Sequence, residues 1–366
     1  MPLALAGICA FFALREPAFL GARNLTQLLV EFSITGTLAL GMFMILLTGQ
    51  IDLSVGSGVG LIGGIAAVLI TQHAWSAPAA LLAGFAVALG LWTLMGALIV
   101  RQRIPSFIIT LGGLLIFKGL FWLVIQNSTV PVSRGDQDNL YSLLTTYYLP
   151  AGAGLTVAVT LILALAALAW GSRRARLAHG LPVRSSATDA AIWTATAIGV
   201  IGLVKICNHF RGVPLTLLIL GATAGAVYFL TRQTPFGRYL YAIGGNEEAA
   251  VLSGIAVNRV LIGAYALMGV TVALTGFMTT AYSGSSTTTV GDLMELDAIA
   301  ACVIGGTALR GGRGTVAGVI FGALIMTALL NGMTLLAVSP EIKFIARGAV
   351  LTLAVWMDVG FRSAKT

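Results

Sequence analysis

Apolar runs close to the length of a membrane span recur along the whole chain, separated by short polar stretches. A helix needs about 20 apolar residues to cross a bilayer, and several of these runs are shorter or interrupted by glycine. The pattern predicts an all-α polytopic membrane protein of about 10–12 transmembrane helices, several short or broken, in a single domain over residues 1–366. The runs cover residues 2–14, 33–47, 59–71, 78–100, 104–125, 149–170, 188–205, 214–231, 260–281, 296–308, 316–330 and 342–357.

The composition fits a chain that is solvated mainly by lipid. Of the 366 residues, 58% are hydrophobic, 9% are charged and 45 are glycine. Soluble domains are about a quarter charged, so this chain has too little charge to cover a water-facing surface of its size. Small residues let membrane helices pack closely, which agrees with the glycine content. We interpret the run 3–14 as a first span rather than a signal peptide, because it lacks a basic leader and a clear cleavage site.

The net charge of +8 comes from basic residues in short clusters between the apolar runs. Such clusters set the orientation of membrane proteins, and their spread along the chain argues against nucleic-acid binding. Alternating spans collect 13 of the 21 basic residues on one side, which is therefore expected to be cytoplasmic, together with both termini. These residues are Arg101, Arg103, Arg173, Arg174, Arg176, Arg184, Arg232, Arg238, Arg259, Arg310, Arg313, Arg362 and Lys365.

Three segments differ from the apolar runs. Residues 126–148 are predicted to form a periplasmic loop, residues 233–259 form a cytoplasmic loop, and residues 171–214 form an insert. The three cysteines and three histidines have no metal-ligand spacing. The sequence also lacks the G-x-x-x-x-G-K loop that binds nucleotide phosphates, so ATP hydrolysis by this chain is not expected.

The cytoplasmic loop contains a short helix with its own start and stop signals. Asn246 is a favourable N-cap residue. Glu247 and Glu248 place negative charge at the positive end of the helix dipole. Gly254 can end the helix in the left-handed conformation. The signals predict a helix of about two turns over residues 247–253.

A helix of this length cannot cross a bilayer, so it is either a surface connector or a docking element for a cytoplasmic partner. The small residues Ala249 and Ala250 would let a partner approach the helix backbone closely. We favour the docking element.

Asp52 is the ionisable residue that the pattern singles out, because it follows an apolar run and precedes a segment rich in glycine and serine. A charged group at membrane depth is costly and usually faces a cavity or a partner. Two interpretations stay open: Asp52 caps the helix that follows, which we favour, or it contacts the substrate. Glu295 and Asp297 open another short run and carry the same two interpretations. Lys118 is expected to extend outward to the membrane surface.

Segments along nearly the whole chain resemble the permease subunits of ABC importers, in the branch that carries ribose, xylose and galactosides. Glu248-Ala-Ala with Gly254 four residues later looks like the coupling motif of these permeases. The insert 171–214 is more like that of the xylose permeases than that of the ribose permeases, and the turn 310–313 is more basic than is usual in the family. The other matching segments are 51–57 (IDLSVGS), 105–111 (PSFIITL), 236–238 (FGR), 242–250 (AIGGNEEAA), 252–255 (LSGI) and 295–307 (ELDAIAACVIGGT).

The resemblance implies a homodimeric permease in the bacterial inner membrane, surrounded by lipid, that translocates a monosaccharide, D-xylose in the first place. It implies a periplasmic sugar-binding protein and a cytoplasmic ATPase subunit that uses ATP and Mg²⁺, while this chain is no enzyme and binds no cofactor or metal itself. The coupling residues that it implies are Asn246, Glu247, Glu248, Ala249, Ala250, Gly254 and Arg238. The substrate-pathway candidates are Asp52, Ser54, Ser57, Thr110, Glu295 and Asp297.

Three alternatives stay open at this point. The first is a permease of the same family for ribose or another pentose or hexose. The second is a secondary transporter driven by protons through Asp52 and Asp297. The third is an intramembrane enzyme that acts on a lipid-linked sugar, which would need a polar catalytic cluster at the membrane face that the sequence does not indicate.

Overall fold

A computed structural model describes residues 1–135 and 137–363, without the side chains of residues 165, 168 and 357–363. The Arg362 side chain and Lys365, both expected on the cytoplasmic side, therefore lie outside the described part. The helices are α1 Pro2–Arg15, α2 Ala22–Leu47, α3 Val55–Thr71, α4 Ala77–Gln102, α5 Ser106–Val124, α6 Leu140–Thr146, α7 Ala151–Ala178, α8 Ser186–Asn208, α9 Leu215–Gln233, α10 Pro235–Gly245, α11 Glu247–Leu252, α12 Val257–Tyr282, α13 Met294–Ile304, α14 Val316–Leu335 and α15 Pro340–Ser363, with a 3₁₀ turn at Pro17–Leu20.

The chain is an all-α polytopic membrane protein, as the sequence predicts. Within the described residues, eight helices are long and apolar enough to span a membrane, and α1 and α3 are shorter apolar helices. Each of the twelve predicted runs falls on a helix. The only strands in this part of the chain are four two-residue segments: β1 Val130–Pro131, β2 Tyr148–Leu149, β3 Val213–Pro214 and β4 Ser285–Ser286.

Helix α2 differs most from its predicted run, because it begins at Ala22 rather than at residue 33. Polar residues in its first turns interrupt the apolar run, so the pattern does not indicate where this helix begins. Asn24 is nevertheless buried, because its side-chain amide donates to Phe19 O and to Asn331 Oδ1, both at 2.9 Å. These two bonds, one of them to the distant α14, satisfy a polar side chain that lipid could not.

Two short helices are additional to the predicted runs. Helix α6 lies in the segment 126–148 and starts with a capping box between Asn139 and Ser142. Helix α10 occupies the first half of the segment 233–259, where Thr234 Oγ1 accepts from Gly237 N at 3.3 Å. The loop predicted at 233–259 is therefore largely helical.

The buried centre of the bundle is formed by α2, α3, α12, α13 and α14. Helices α7 and α8 make up most of the run 149–170 and of the insert 171–214. Most of their side chains are exposed. Because these exposed side chains are largely apolar, they suit contact with lipid. The single-domain organisation stays a prediction.

The bundle has two ends that differ in structure. At one end, which we call the coupling end, the end of α2, α10 and the turn 305–315 meet: Gly312 N donates to Leu47 O at 2.9 Å. Helix α12 starts beside α11 and runs to the other end, where β4 pairs with β1 and β2 pairs with β3. We call this second end the hairpin end.

Candidate substrate pathway and coupling site

Asp52 lies in the irregular segment between α2 and α3, and it is fully buried at 0% exposure. Its Oδ1 accepts from Ser54 N at 2.8 Å and from Ser54 Oγ at 2.6 Å. Its Oδ2 accepts from the indole Nε1 of Trp92 on α4 at 2.7 Å. The carboxylate thus has three donors, which compensates for the burial of a charge.

The capping interpretation of Asp52 is wrong in its geometry. The N-cap of α3 is Ser54, and Asp52 lies two residues before it. The carboxylate closes a turn onto Ser54 and joins α4 to the segment, so it does not reach the free N–H groups of the helix. The substrate-contact interpretation stays a prediction, and it would require the carboxylate to leave at least one of these partners.

Helix α5 holds the same segment from the other side. Ser106 Oγ accepts from Ile51 N at 3.2 Å, and Thr110 Oγ1 donates to Ile51 O at 3.3 Å. Thr110 is completely buried. In this conformation, Thr110 therefore supports the Asp52 segment.

Close packing of α3 against α13 brings Glu295 to the glycine-rich face of α3. A β-carbon at Gly56 would overlap the Glu295 carboxylate and lie 2.6 Å from Gly291 O. Ser57, one residue further on α3, is nearly buried. Glycine at position 56 is thus required by the space that the carboxylate occupies.

Asp297 points away from Glu295. Its Oδ1 lies 3.2 Å from Nε of Arg347, so α13 is joined to α15 by an ion pair. The two acidic residues of α13 therefore contact different helices. Asp52 in turn bonds to Trp92, so the structure does not gather the acidic pathway candidates into one cluster.

Lys118 does not extend outward as expected. Its Nζ donates to Thr288 O at 2.7 Å and forms an ion pair with Asp292. It also lies over the ring of Trp122, with 5.6 Å from Nζ to the ring centroid. Lys118 therefore fixes the irregular segment before α13 to α5.

Helix α11 confirms the start and stop signals read from the sequence. Asn246 Oδ1 accepts from Ala249 N at 3.0 Å. At the other end, Gly254 has φ +79°, and its N donates to Val251 O while Ile255 N donates to Ala250 O. This is the paired hydrogen bonding of a Schellman cap.

The exposed face of α11 agrees with the expected one at Ala249, which is exposed, and differs from it at Ala250. Ala250 is only 3% exposed and packs against its own chain, so it cannot be part of a contact surface. The exposed apolar side chains are Val251 at 55% and Leu252 at 89%, with Glu247 exposed beside them. A helix of six residues has fewer than two turns, which is too short for its apolar pattern to indicate which face is buried. The buried face depends on the helices against which it packs.

Helix α10 anchors α11 to the bundle, and its role was missed from the sequence. Tyr241 Oη donates to Gly314 O at 3.0 Å. Burial raises the pKa of this phenol, and the charge of Arg232 partly offsets the increase. Gly244 packs so closely that a β-carbon would overlap Leu47 O. Arg238, on the same helix, is exposed.

A second polar group was also missed, at the hairpin end. Glu31 on α2 accepts from Tyr282 Oη at 2.9 Å and from Asn331 Nδ2 at 3.2 Å. The three residues lie on α2, α12 and α14, far apart in sequence. The only sequence signal for this group is that Gln27, Glu31 and Thr35 are spaced four residues apart, which places them on one face of a helix. They lie before and within the apolar run 33–47.

The profile of one transporter family, described as branched-chain amino acid transport system / permease component, matches residues 24–355. The chain belongs to this permease family. The xylose transport system permease protein of Escherichia coli strain K12 is 40% identical to it, over 98% of this chain and 90% of the relative. The corresponding Haemophilus influenzae protein is 39% identical over 98% of this chain and 95% of its own length.

The ribose import permease protein of Escherichia coli strain K12 is 32% identical to this permease, over 97% of the chain and 92% of the relative. No solved structure matches the chain. Family membership confirms the expected resemblance and a transport role. The relatives are permease components of transport systems, so this permease is a transport subunit and not an enzyme.

Proposed function

We propose that this permease is the membrane subunit of an ATP-driven importer of a monosaccharide, and that the sugar is D-xylose. The similarity to xylose permeases carries the proposal, because it reaches 40% identity over 98% of the chain, against 32% for a ribose permease. The resemblance of the insert 171–214 to xylose permeases supports the same choice. Ribose or another monosaccharide is the second candidate.

In this proposal, two copies of the permease form the pathway in the bacterial inner membrane. The coupling end and both termini face the cytoplasm, where the ATPase subunit binds the exposed face of α11. ATP and Mg²⁺ act in that subunit, and this chain needs no cofactor. A periplasmic sugar-binding protein delivers the sugar at the hairpin end, which the distribution of basic residues assigns to the outside.

Contacts at the coupling end support a route from the ATPase to the pathway. Helix α10 joins α11 to the end of α2 through Gly244 and Leu47. Gly312, in the turn between α13 and α14, shares the same Leu47 carbonyl. Movement of α11 would therefore reach both α13 and the segment that carries Asp52, which starts directly after α2.

The test is uptake of labelled sugar into proteoliposomes that contain the permease, its ATPase and its binding protein. We expect D-xylose uptake that requires ATP and exceeds ribose uptake. Uptake by the permease alone, driven by a pH gradient, would instead support the secondary transporter. ATP-dependent ribose uptake without xylose uptake would assign the second candidate.

A further inference from the structure

We propose that Glu31, Tyr282 and Asn331 form a binding site for sugar hydroxyl groups at the hairpin end of the bundle. The inference rests on the proposed function, because it takes the cargo to be a monosaccharide. It adds a site that the pathway candidates read from the sequence do not include. The three residues come from α2, α12 and α14, so the site is also a point where three central helices meet.

The carboxylate of Glu31 keeps acceptor capacity in this arrangement. Tyr282 Oη donates to Oε1 at 2.9 Å, and Asn331 Nδ2 donates to Oε2 at 3.2 Å. A carboxylate has about four lone-pair positions, so each oxygen can accept one further hydrogen bond. Two neighbouring hydroxyl groups of a sugar can donate to the two oxygens together.

Asn331 is held in the orientation that the site needs. Asn24 Nδ2 donates to Asn331 Oδ1 at 2.9 Å and also to Phe19 O at 2.9 Å. This bond fixes the amide oxygen of Asn331 toward Asn24 and its NH₂ group toward Glu31. A donor fixed in advance costs little ordering entropy when a ligand binds.

Part of the site is accessible from outside the bundle. Tyr282 is 42% exposed, and Glu31 is half-buried. Gln27 and Thr35 are half-buried on the same face of α2, one turn before and one turn after Glu31. Glu31 lies roughly 14 Å along α2 from its first residue, at about 1.5 Å per residue. An ionisable group at that depth needs a cavity or a partner.

Polar groups beside the site suit a ligand that carries several hydroxyl groups. Lys343 Nζ donates to Thr334 Oγ1 at 3.1 Å, one turn beyond Asn331 on α14. The exposed ring of Tyr282 adds an apolar surface for the C–H groups of a sugar.

The test compares D-xylose with its single-deoxy analogues in the reconstituted complex, with the same binding protein throughout. Any selection by the binding protein then cancels between variants. In the wild type, we expect at least one analogue to be carried less efficiently than xylose. Glu31→Gln keeps the size of the side chain. Its amide oxygen can still accept from Asn331 and its NH₂ group can donate to the Tyr282 hydroxyl, but one of the two acceptors offered to the sugar becomes a donor. Loss of a charged hydrogen bond should lower kcat/KM for xylose by roughly tenfold or more.

The decisive readout is discrimination. Glu31→Gln should bring the uptake of xylose and of that analogue close together. The wild type carries the analogue less efficiently because the analogue lacks the hydroxyl group that bonds to Glu31, and the variant no longer makes that bond with xylose. Tyr282→Phe should have a smaller effect of the same kind. The matched control is Glu16→Gln, since Glu16 is also a half-buried carboxylate, and it accepts only from Ala18 N within the described residues. It should leave both uptake and discrimination unchanged.

Three outcomes would overturn the inference. The first is an equal loss for xylose and for every analogue in well-folded Glu31→Gln and Tyr282→Phe, which would make the group a structural link between helices. The second is unchanged transport in both variants. The third is failure of Glu31→Gln to fold while folded Tyr282→Phe keeps wild-type discrimination. A wild-type complex that carries no sugar would instead contradict the proposed function itself.

Discussion

The indole of Trp92 donates a 2.7 Å hydrogen bond to Asp52 Oδ2, which joins the middle of α4 to the segment between α2 and α3. Both residues are fully buried. Ser54 supplies the other two donors to the same carboxylate, from its backbone N and its Oγ. This arrangement changes what substitution of Asp52 should do, because an N-cap would tolerate asparagine and this site would not.

Asp52→Asn is therefore expected to be nearly as damaging as Asp52→Ala. The amide NH₂ of asparagine would face either the Trp92 indole or the Ser54 donors, which leaves a buried donor without an acceptor at a cost of about 1–3 kcal/mol. Trp92→Phe should cause a similar loss, and the double variant should lose less than the sum of the two. Thermal unfolding in detergent and sugar uptake measure these effects. An Asn variant with wild-type stability and uptake would restore the capping interpretation.

The exposed face of α11 predicts a specific effect of Leu252→Arg. This side chain is 89% exposed, so arginine should leave the bundle intact and prevent co-purification of the ATPase. Leu181→Arg is a matched control, because Leu181 is an exposed leucine in the loop between α7 and α8, on the side expected to be cytoplasmic. Normal ATPase binding and sugar-stimulated hydrolysis in Leu252→Arg would make α11 a connector.

Ala250→Arg should behave differently from Leu252→Arg. Ala250 is buried, so a long charged side chain must either displace α11 or lose its hydration. We expect lower expression and a lower unfolding temperature, which makes this variant a poor test of docking. A stable Ala250→Arg protein would show that α11 can lift from the bundle without cost.

The ion pair between Asp297 and Arg347 should make the two residues energetically coupled. Arg347→Met alone leaves the nearly buried Asp297 carboxylate without its cation, whereas Asp297→Leu with Arg347→Met replaces the pair by apolar contact. The double variant should be more stable than Arg347→Met, with a coupling energy of about 0.5–3 kcal/mol. A double-mutant cycle on unfolding measures it, and additive effects would contradict the coupling.

Gly56→Ala should destabilise the protein through the contact between α3 and α13. The added methyl group would overlap the Glu295 carboxylate and approach the Gly291 carbonyl, and overpacking of this kind costs about 1–3 kcal/mol. Gly119→Ala is the control, because no atom lies within 4 Å of a β-carbon at that helical position on α5. Equal unfolding temperatures for the two variants would show that α13 moves aside readily.

The helices could be predicted from sequence because a span is a local property of about 20 residues. The ends of α11 were equally accessible, since Asn246 and Gly254 act on neighbours within four residues. The start of α2 was missed because Asn24 finds its partner 307 positions away, at Asn331. The partner of Asp52 and the inward direction of Ala250 were missed for the same reason. Both depend on which helices pack together, and the pattern of apolar residues does not state that.

Where α10 meets the end of α2, main-chain atoms of Gly244, Leu47 and Gly312 lie close together. Side chains can change rotamer and so take up small displacements of their neighbours. Peptide planes at van der Waals distance have no such freedom. A shift of α10 by even a fraction of an ångström must therefore either displace α2 or separate the two helices. A movement of α10 at the coupling end is thus passed directly to α2.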